Sequence, residues 1–223
     1  MKAMILAAGR GERMRPLTDT CPKPLLSVAG TPLIVWHLQK LARMGVQEVV
    51  INTAWLGQHL VEAIGTGAAW GVKVHWSHEP AGGLETAGGI IQALPLLGEE
   101  PFIVVNGDIW TDYEFALLPR TLGNALGHLV LVANPAHHPE GDFNLTRDGY
   151  IHTEGIKHTF SGVSVLHPAL FSGLTHGRSP LRPVFERAIS HGQLSGEFYA
   201  GKWTDVGTPE RLALLERELK GER

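Results

Sequence analysis

Short apolar runs rich in Val and Ile alternate along the chain with longer runs whose apolar positions recur at helical spacing. Lys2 to Ala7, Glu48 to Asn52, Val72 to Trp76, Phe102 to Asn106 and His128 to Ala133 are predicted strands. Pro32 to Met44 is a predicted helix: Pro opens it, Leu33, Trp36, Leu38, Leu41 and Met44 form a broad apolar face, and Gly45 ends it. Leu56 to Ile64 and Thr86 to Leu94 carry weaker helical patterns. The alternation predicts an α/β fold, a Rossmann-like mixed and mostly parallel sheet flanked by helices. Ligands of such a sheet gather at the carboxyl ends of the strands.

The period changes in the second half. GDFNLTRDGYIHTEGIKHTFSGVSVLHP alternates polar and apolar residues around a DG turn, which predicts antiparallel hairpins forming one side of a cleft. Leu181 to Ser190 and Pro209 to Lys220 read as closing helices, the last with Glu216 and Lys220 at i,i+4. No linker or internal repeat divides the chain, so a single domain over residues 1–223 is expected.

Composition narrows the function classes. A chain of 223 residues, 43% hydrophobic and 18% charged, can bury a sizeable core. Nineteen Lys and Arg against 22 Asp and Glu leave a charge of −3, which argues against a nucleic-acid or membrane-surface binder and makes any anion site local. The first apolar run is too short for a signal peptide, and no run approaches a membrane span. Cys21 is the single cysteine, which suits a reducing compartment, so a cytoplasmic address is expected. The 12 His have no HExxH or CxxC frame, and His137 and His138, ahead of Pro139, read as surface histidines. Trp55, Trp70, Trp76, Trp110 and Trp203 read as packing residues before stacking platforms.

Candidate chemistry starts in the loop after the first strand, LAAGRGERMRPLTDTCPKPL. Gly9 and Gly11 let backbone approach a ligand, and Arg13, Arg15 and Lys23 gather positive charge at a strand's carboxyl end. A tight turn would account for the glycines alone, but not for the cations. The loop is not a Walker P-loop, and Met14 breaks the GxGxxG dinucleotide pattern. In VVNGD, Asp108 lies just past a strand end, a natural place for a magnesium ligand, and Asp205 in KWTDVGT could be its second carboxylate. Taken alone, Asp108 reads equally as a helix cap and Asp205 as a turn residue.

Gly9, Gly11, Arg13, Pro16, Leu17, Thr18, Lys23 and Pro24 match GxGxRxxPLT followed by KP, the signature of the sugar-1-phosphate nucleotidyltransferases, and the chain resembles that family. LETAGGI, VVNGD, FSGVSVL and WTDVGTPE extend the resemblance over nearly the whole length. The resemblance implies a nucleotidyltransferase fold, with a nucleotide-binding half over residues 1–110 and a sugar-binding half over residues 111–223. It implies a nucleotide site built from Ala8, Gly9, Gly11, Glu12, Arg13, Lys23, Glu79, Gly83 and Glu85, of which Glu85 departs from the Gly of many relatives. It further implies sugar contacts at Asn106, Gly107, Asp142, Ser161 and Gly162, catalytic roles for Arg13, Lys23 and Asp108, and Mg2+ on Asp108 and Asp205. Asp142 and Phe160 read equally well as a turn residue and a core residue.

Within the family, LETAGGI, VNGDIWTDY, NPAHHPEGDF, TFSGVSVLHP and WTDVGTPERL look most like the branch that joins UTP to N-acetylmuramate α-1-phosphate in peptidoglycan recycling. The expected substrates are therefore a nucleoside triphosphate, UTP, and a sugar 1-phosphate. A guanylyltransferase for mannose 1-phosphate or a glucose-1-phosphate relative would share the chemistry. A regulatory subunit that binds a nucleotide sugar without turnover would be expected to lack one of Arg13, Lys23, Asp108 and Asp205, all present here. A Rossmann dehydrogenase would end its second strand in an acid, where this chain has Asn52.

Overall fold

The computed structural model describes residues 1–221. β1 (Ala3–Leu6) runs into a long loop of 3-10 turns that ends in the hairpin β2 (Ser27–Val28) and β3 (Thr31–Pro32). There follow α1 (Leu33–Arg43), β4 (Glu48–Thr53), α2 (Gly57–Ile64), β5 (Lys73–His78), α3 (Glu85–Leu97), β6 (Phe102–Asn106) and β7 (Ile109–Thr111). The second half supplies β8 (Gly127–Val132), β9 (Phe143–Leu145), β10 (Ile151–His152), β11 (Lys157–Leu166), α4 (Arg182–Ser190), β12 (Leu194–Tyr199), β13 (Trp203–Asp205) and α5 (Pro209–Lys220).

Every predicted strand and helix is present, in the expected mixed and mostly parallel sheet. Strands β6, β1, β4 and β5 lie side by side in parallel. β11 joins this block antiparallel to β6 and carries β8 and β9, while β10 extends β9. β12 was not expected. Gly196 and Glu197 interrupt its apolar run, and it becomes a strand by pairing parallel with β8, Leu194 opposite Gly127 through Tyr199 opposite Val132. Helix α3 runs past its expected end at Leu94, through Pro95 to Leu97. There the missing N–H removes one helical bond, and burial of Leu97 offsets the loss.

The period of two explains the layers. Ala3, Ile5, Val49, Ile51, Ile103 and Val105 point to one face and pack on Ile34, Leu38 and Leu41 of α1 and Leu60 of α2. Their neighbours Met4, Val50 and Val104 point to the other face, against Ile90 of α3 and Val184 and Phe185 of α4. A third cluster, with Met14, Leu26, Val28, Trp110, Val206 and Leu215, anchors the first loop from beneath and ties it to α5. Met14, which breaks the dinucleotide pattern, is thus a fully buried anchor.

Thr208 caps α5 with its hydroxyl oxygen accepting from the Arg211 N–H at 3.3 Å, and Pro209 fills the first helical position. That start directs Arg211 back toward Asp205 on β13. Among the described residues, no helix is long and apolar enough to cross a membrane.

Candidate active site

The carboxyl ends of β1, β4 and β6 open into a cleft of about 550 Å³. Ala8, Gly9, Gly11, Glu12, Arg13, Lys23, Glu79, Gly83 and Glu85 all line it, with Asn52, Asn106 and Asp108. Every residue expected at the nucleotide is therefore in one place. Gly11 has φ +68°, and a Cβ there would lie 3.0 Å from Thr18 Cγ2 and 3.3 Å from Lys23 Cβ, so the loop can close on itself only with glycine. The Thr18 hydroxyl donates to the Gly11 carbonyl at 2.8 Å.

Charge in the loop is distributed differently from the expected cradle. Arg15 does not line the cleft: its Nε pairs with Asp19 at 2.9 Å on the surface. Arg10 lines it instead, yet its guanidinium donates to Thr18 O and Asp19 Oδ1, both at 2.9 Å, and lies 3.7 Å over the Trp55 ring. That hydrogen bond from Arg10 holds the Asp19 carboxyl below its ordinary range. Arg13 makes no hydrogen bond or ion pair among the described residues and stays open to an anion. Lys23 is nearly buried, with Nζ 2.6 Å from Asp108 Oδ2.

On the far wall, the Asn52 side chain accepts from the Ala7 N–H at 2.7 Å and donates to Glu79 Oε1 at 2.6 Å. Glu79 Oε2 accepts from the Leu84 N–H at 2.8 Å. This relay fixes the loop between β5 and α3, and Gly89 makes room for it, since a Cβ there would lie 2.9 Å from Asn52 Nδ2 and meet the Glu79 carboxylate. Glu85 has φ +59°, the left-handed region that glycine occupies without strain, so the glycine that the resemblance implies here would suit the backbone better than Glu85 does. Arg178 Nε holds its carboxylate at 2.8 Å. Thr86, the expected start of the helix, lies inside the first turn of α3, and Leu84 is the capping position.

A second cavity of about 380 Å³ adjoins the cleft and is lined by Arg13, Asn106, Asp108, Ser161, Trp203 and Asp205, with His137 and His138. β13 pairs antiparallel with β7, which sets Asp205 opposite Ile109, and the Val206 N–H donates to the Asp108 carbonyl at 2.8 Å. The two acids therefore meet at one wall. Asp205 Oδ2 accepts from Arg211 Nη1 at 2.6 Å. His137 Nε2 lies 2.6 Å from that same Nη1 and 2.9 Å from Asp205 Oδ1. A ring nitrogen that accepts from Arg211 has no proton to give, which leaves the buried Oδ1 without a hydrogen bond. A buried, unsatisfied carboxylate oxygen beside a second carboxylate fits a hard divalent cation. Two acids are what magnesium takes when phosphates and water complete its shell, and no larger metal-binding cluster occurs among the described residues.

Asp142 faces a third cavity, its Oδ2 accepting from the Phe160 N–H at 2.8 Å and its Oδ1 3.1 Å from His138 Nε2. His137 and His138, read from sequence as surface residues, thus each engage one of the two candidate aspartates of the second half, Asp205 and Asp142. The signal that could have found them is proximity in sequence to the GDF turn. Ser161 accepts from the Val163 N–H at 3.1 Å, and its carbonyl accepts from Trp203 Nε1 at 2.8 Å. Gly107 and Gly162 line none of these cavities. Each permits a close approach: a Cβ on Gly107 would lie 2.7 Å from Leu6 O, and one on Gly162, at φ +81°, 2.7 Å from Asn106 Nδ2.

The family described as Nucleotidyl transferase matches residues 2–143. The N-acetylmuramate alpha-1-phosphate uridylyltransferase of Neisseria meningitidis is 54% identical over 95% of both chains. The enzyme of the same name from Caulobacter vibrioides is 33% identical over 97% of this chain and 96% of its own. A candidate glucose-1-phosphate thymidylyltransferase from Bacillus anthracis shares the fold, with TM-score 0.88 and 20% identity over 100% of this chain and 96% of that one. A cleft lined by the glycine and arginine loop, a pair of acids at adjoining strand ends and a family match over most of the chain lead to one conclusion: the protein belongs to the nucleotidyl transferase family.

Proposed function

We propose that the protein transfers the uridylyl group of UTP to N-acetylmuramate α-1-phosphate, giving UDP-N-acetylmuramate and pyrophosphate, a step of peptidoglycan recycling in the cytoplasm. The observation that carries this reading is the full-length likeness to the Neisseria enzyme. The chain acts as one domain in it, residues 1–110 taking the nucleotide and residues 111–223 the sugar.

The acceptor phosphate has a second pKa of ~6 and is mostly dianionic near neutrality, so attack on the α-phosphorus needs no general base. What opposes the reaction is repulsion between two polyanions, and catalysis rests on alignment and charge neutralisation. Arg13, free of internal partners, faces the triphosphate as pyrophosphate leaves. Ala8, Gly9, Gly11 and Glu12 approach the phosphates, while Glu79, Gly83 and Glu85 surround base and ribose. Asn106, Gly107, Asp142, Ser161 and Gly162 form the sugar side, Gly107 and Gly162 by the space they leave. Mg2+ held by Asp108 and Asp205 would screen the phosphate oxygens. Lys23 can turn to phosphate once Asp108 has another cationic partner, which links the two sides of the site.

The test is pyrophosphate release with magnesium, each nucleoside triphosphate and a panel of sugar 1-phosphates. UTP with N-acetylmuramate 1-phosphate is the expected pair. No release with any pair would overturn the enzyme reading, and release with UTP only for a smaller sugar would remove the muramate assignment.

A further inference from the structure

We infer that the third cavity is a subsite for the 3-O-lactyl ether that distinguishes N-acetylmuramate from N-acetylglucosamine, and that Arg182 reads its carboxylate. The inference rests on the proposed reaction.

The cavity measures about 400 Å³ and lies where a sugar substituent would reach. It shares Asn106 and Phe160 with the cavity of the two acids, and Glu85 and Thr86 with the nucleotide cleft. Its floor is aromatic. Phe143 and Phe160 each meet Phe185 edge to face, with centroids 6.2 and 5.7 Å apart, a packing that keeps the floor rigid. At its rim stands Arg182, the first residue of α4, with its guanidinium carbon 5.7 Å from the Phe143 ring centre.

A guanidinium has five N–H donors. Arg182 uses one, donating from Nε to Glu186 Oε1 at 2.9 Å. Its Nη groups make no hydrogen bond among the described residues, and Nη1 forms only a long ion pair with Asp142 Oδ1 at 3.8 Å. Asp142 is already engaged by His138 and by the Phe160 N–H. The other arginine nearby, Arg178, is committed to Glu85. The pair with Glu186 is half exposed on both sides, so sharing the guanidinium with an incoming carboxylate costs little.

A lactyl ether carries one methyl and one carboxylate, and the cavity offers an aromatic floor beside an Nη edge that makes no hydrogen bond. The two parts match. A bidentate guanidinium–carboxylate contact has a fixed geometry, so it selects for the position of the ether as well as its charge. An N-acetylglucosamine phosphate would leave the floor bare and the Nη groups to water.

The experiment compares full-length wild type, Arg182→Ala and Arg182→Lys at saturating UTP with magnesium, varying N-acetylmuramate 1-phosphate or N-acetylglucosamine 1-phosphate. In Arg182→Ala the ratio of kcat/KM between the two sugars is expected to fall about 10- to 100-fold, the range for losing a charge-assisted hydrogen bond, mainly through KM. Arg182→Lys should recover part of the ratio. Thermal midpoints of the variants check that α4 is intact. An unchanged ratio in Arg182→Ala overturns the inference and leaves the reaction standing. A wild type that does not use N-acetylmuramate 1-phosphate overturns both.

Discussion

The two sides of the cleft are held together by different means. On the nucleotide side, the loop after β1 is fixed by Thr18 on Gly11, by Arg10 on Thr18 and Asp19, and by the relay from Ala7 through Asn52 and Glu79 to Leu84. Much of that framework is backbone, and Met14 packs it down from below. On the sugar side, Asp205 sits with Arg211 and His137, and Asp142 with His138. Those are charged or ionisable side chains that substrate and cation can re-partner. In the proposed reaction the contrast divides binding: a preformed cradle would receive the triphosphate, and a set of exchangeable contacts would adapt to the second substrate.

The largest effect that can break this contrast comes from Lys23, which lies between the sides through Asp108. Lys23→Ala is expected to lower kcat/KM by ~10²- to 10³-fold, the scale for removing one preorganised electrostatic contact to a developing charge. The loss should be equal for every sugar 1-phosphate accepted. Steady-state kinetics over a sugar panel checks this, and a loss that varied with the sugar would end the division of labour.

A smaller effect tests the shared core behind the nucleotide side. Burial pushes the imidazole of His37, stacked on Phe115, down to about 4 from an ordinary 6.5. Between those values the unfolded chain binds a proton that the folded chain refuses. The neutral ring is therefore a stable feature above pH 6.5, and stability falls as pH drops toward 4, by about 3 kcal/mol in full. Thermal midpoints across that window should show the slope, and His37→Phe should flatten it.

The smallest effect sharpens the sugar side. Gly162→Ala puts a side chain at a left-handed φ and against Asn106, at an expected cost of ~1–2 kcal/mol. KM for the sugar phosphate should rise more than KM for UTP. A reversed order would mean that the bulge in β11 between Phe160 and Ser164 serves the nucleotide instead.

How much was legible follows from the range of the physics involved. The four parallel strands of the first half and all five long helices follow from periods of two and 3.6, which local sequence carries. The cleft lining was legible because the loop residues and the strand-end residues Asn106 and Asp108 are placed by chain direction alone. β12 was not, because its pairing with β8 supplies what its own residues lack. Arg15 left the cleft for a similar reason: Asp19 holds both Arg15 and Arg10, and Trp55 takes the Arg10 guanidinium, so neither arginine is free for an anion. His137 and Arg211 lie in stretches that carry the resemblance, but no chemical role attached to either, since each acts through Asp205, which only the packing brings to His137.

The chain by itself determined the alternation of strands and helices, the glycine and cation loop at a strand's carboxyl end, and the two acids with a motif around each. Those features rest on interactions between residues close in sequence. Only the tertiary structure decided which charges are already paired, that Asp108 and Asp205 share one wall, and that the Nη side of Arg182 stands without a hydrogen bond above three phenylalanines. Such pairings join residues tens of positions apart, and they exist only after β11, β13 and α4 have packed around the first half.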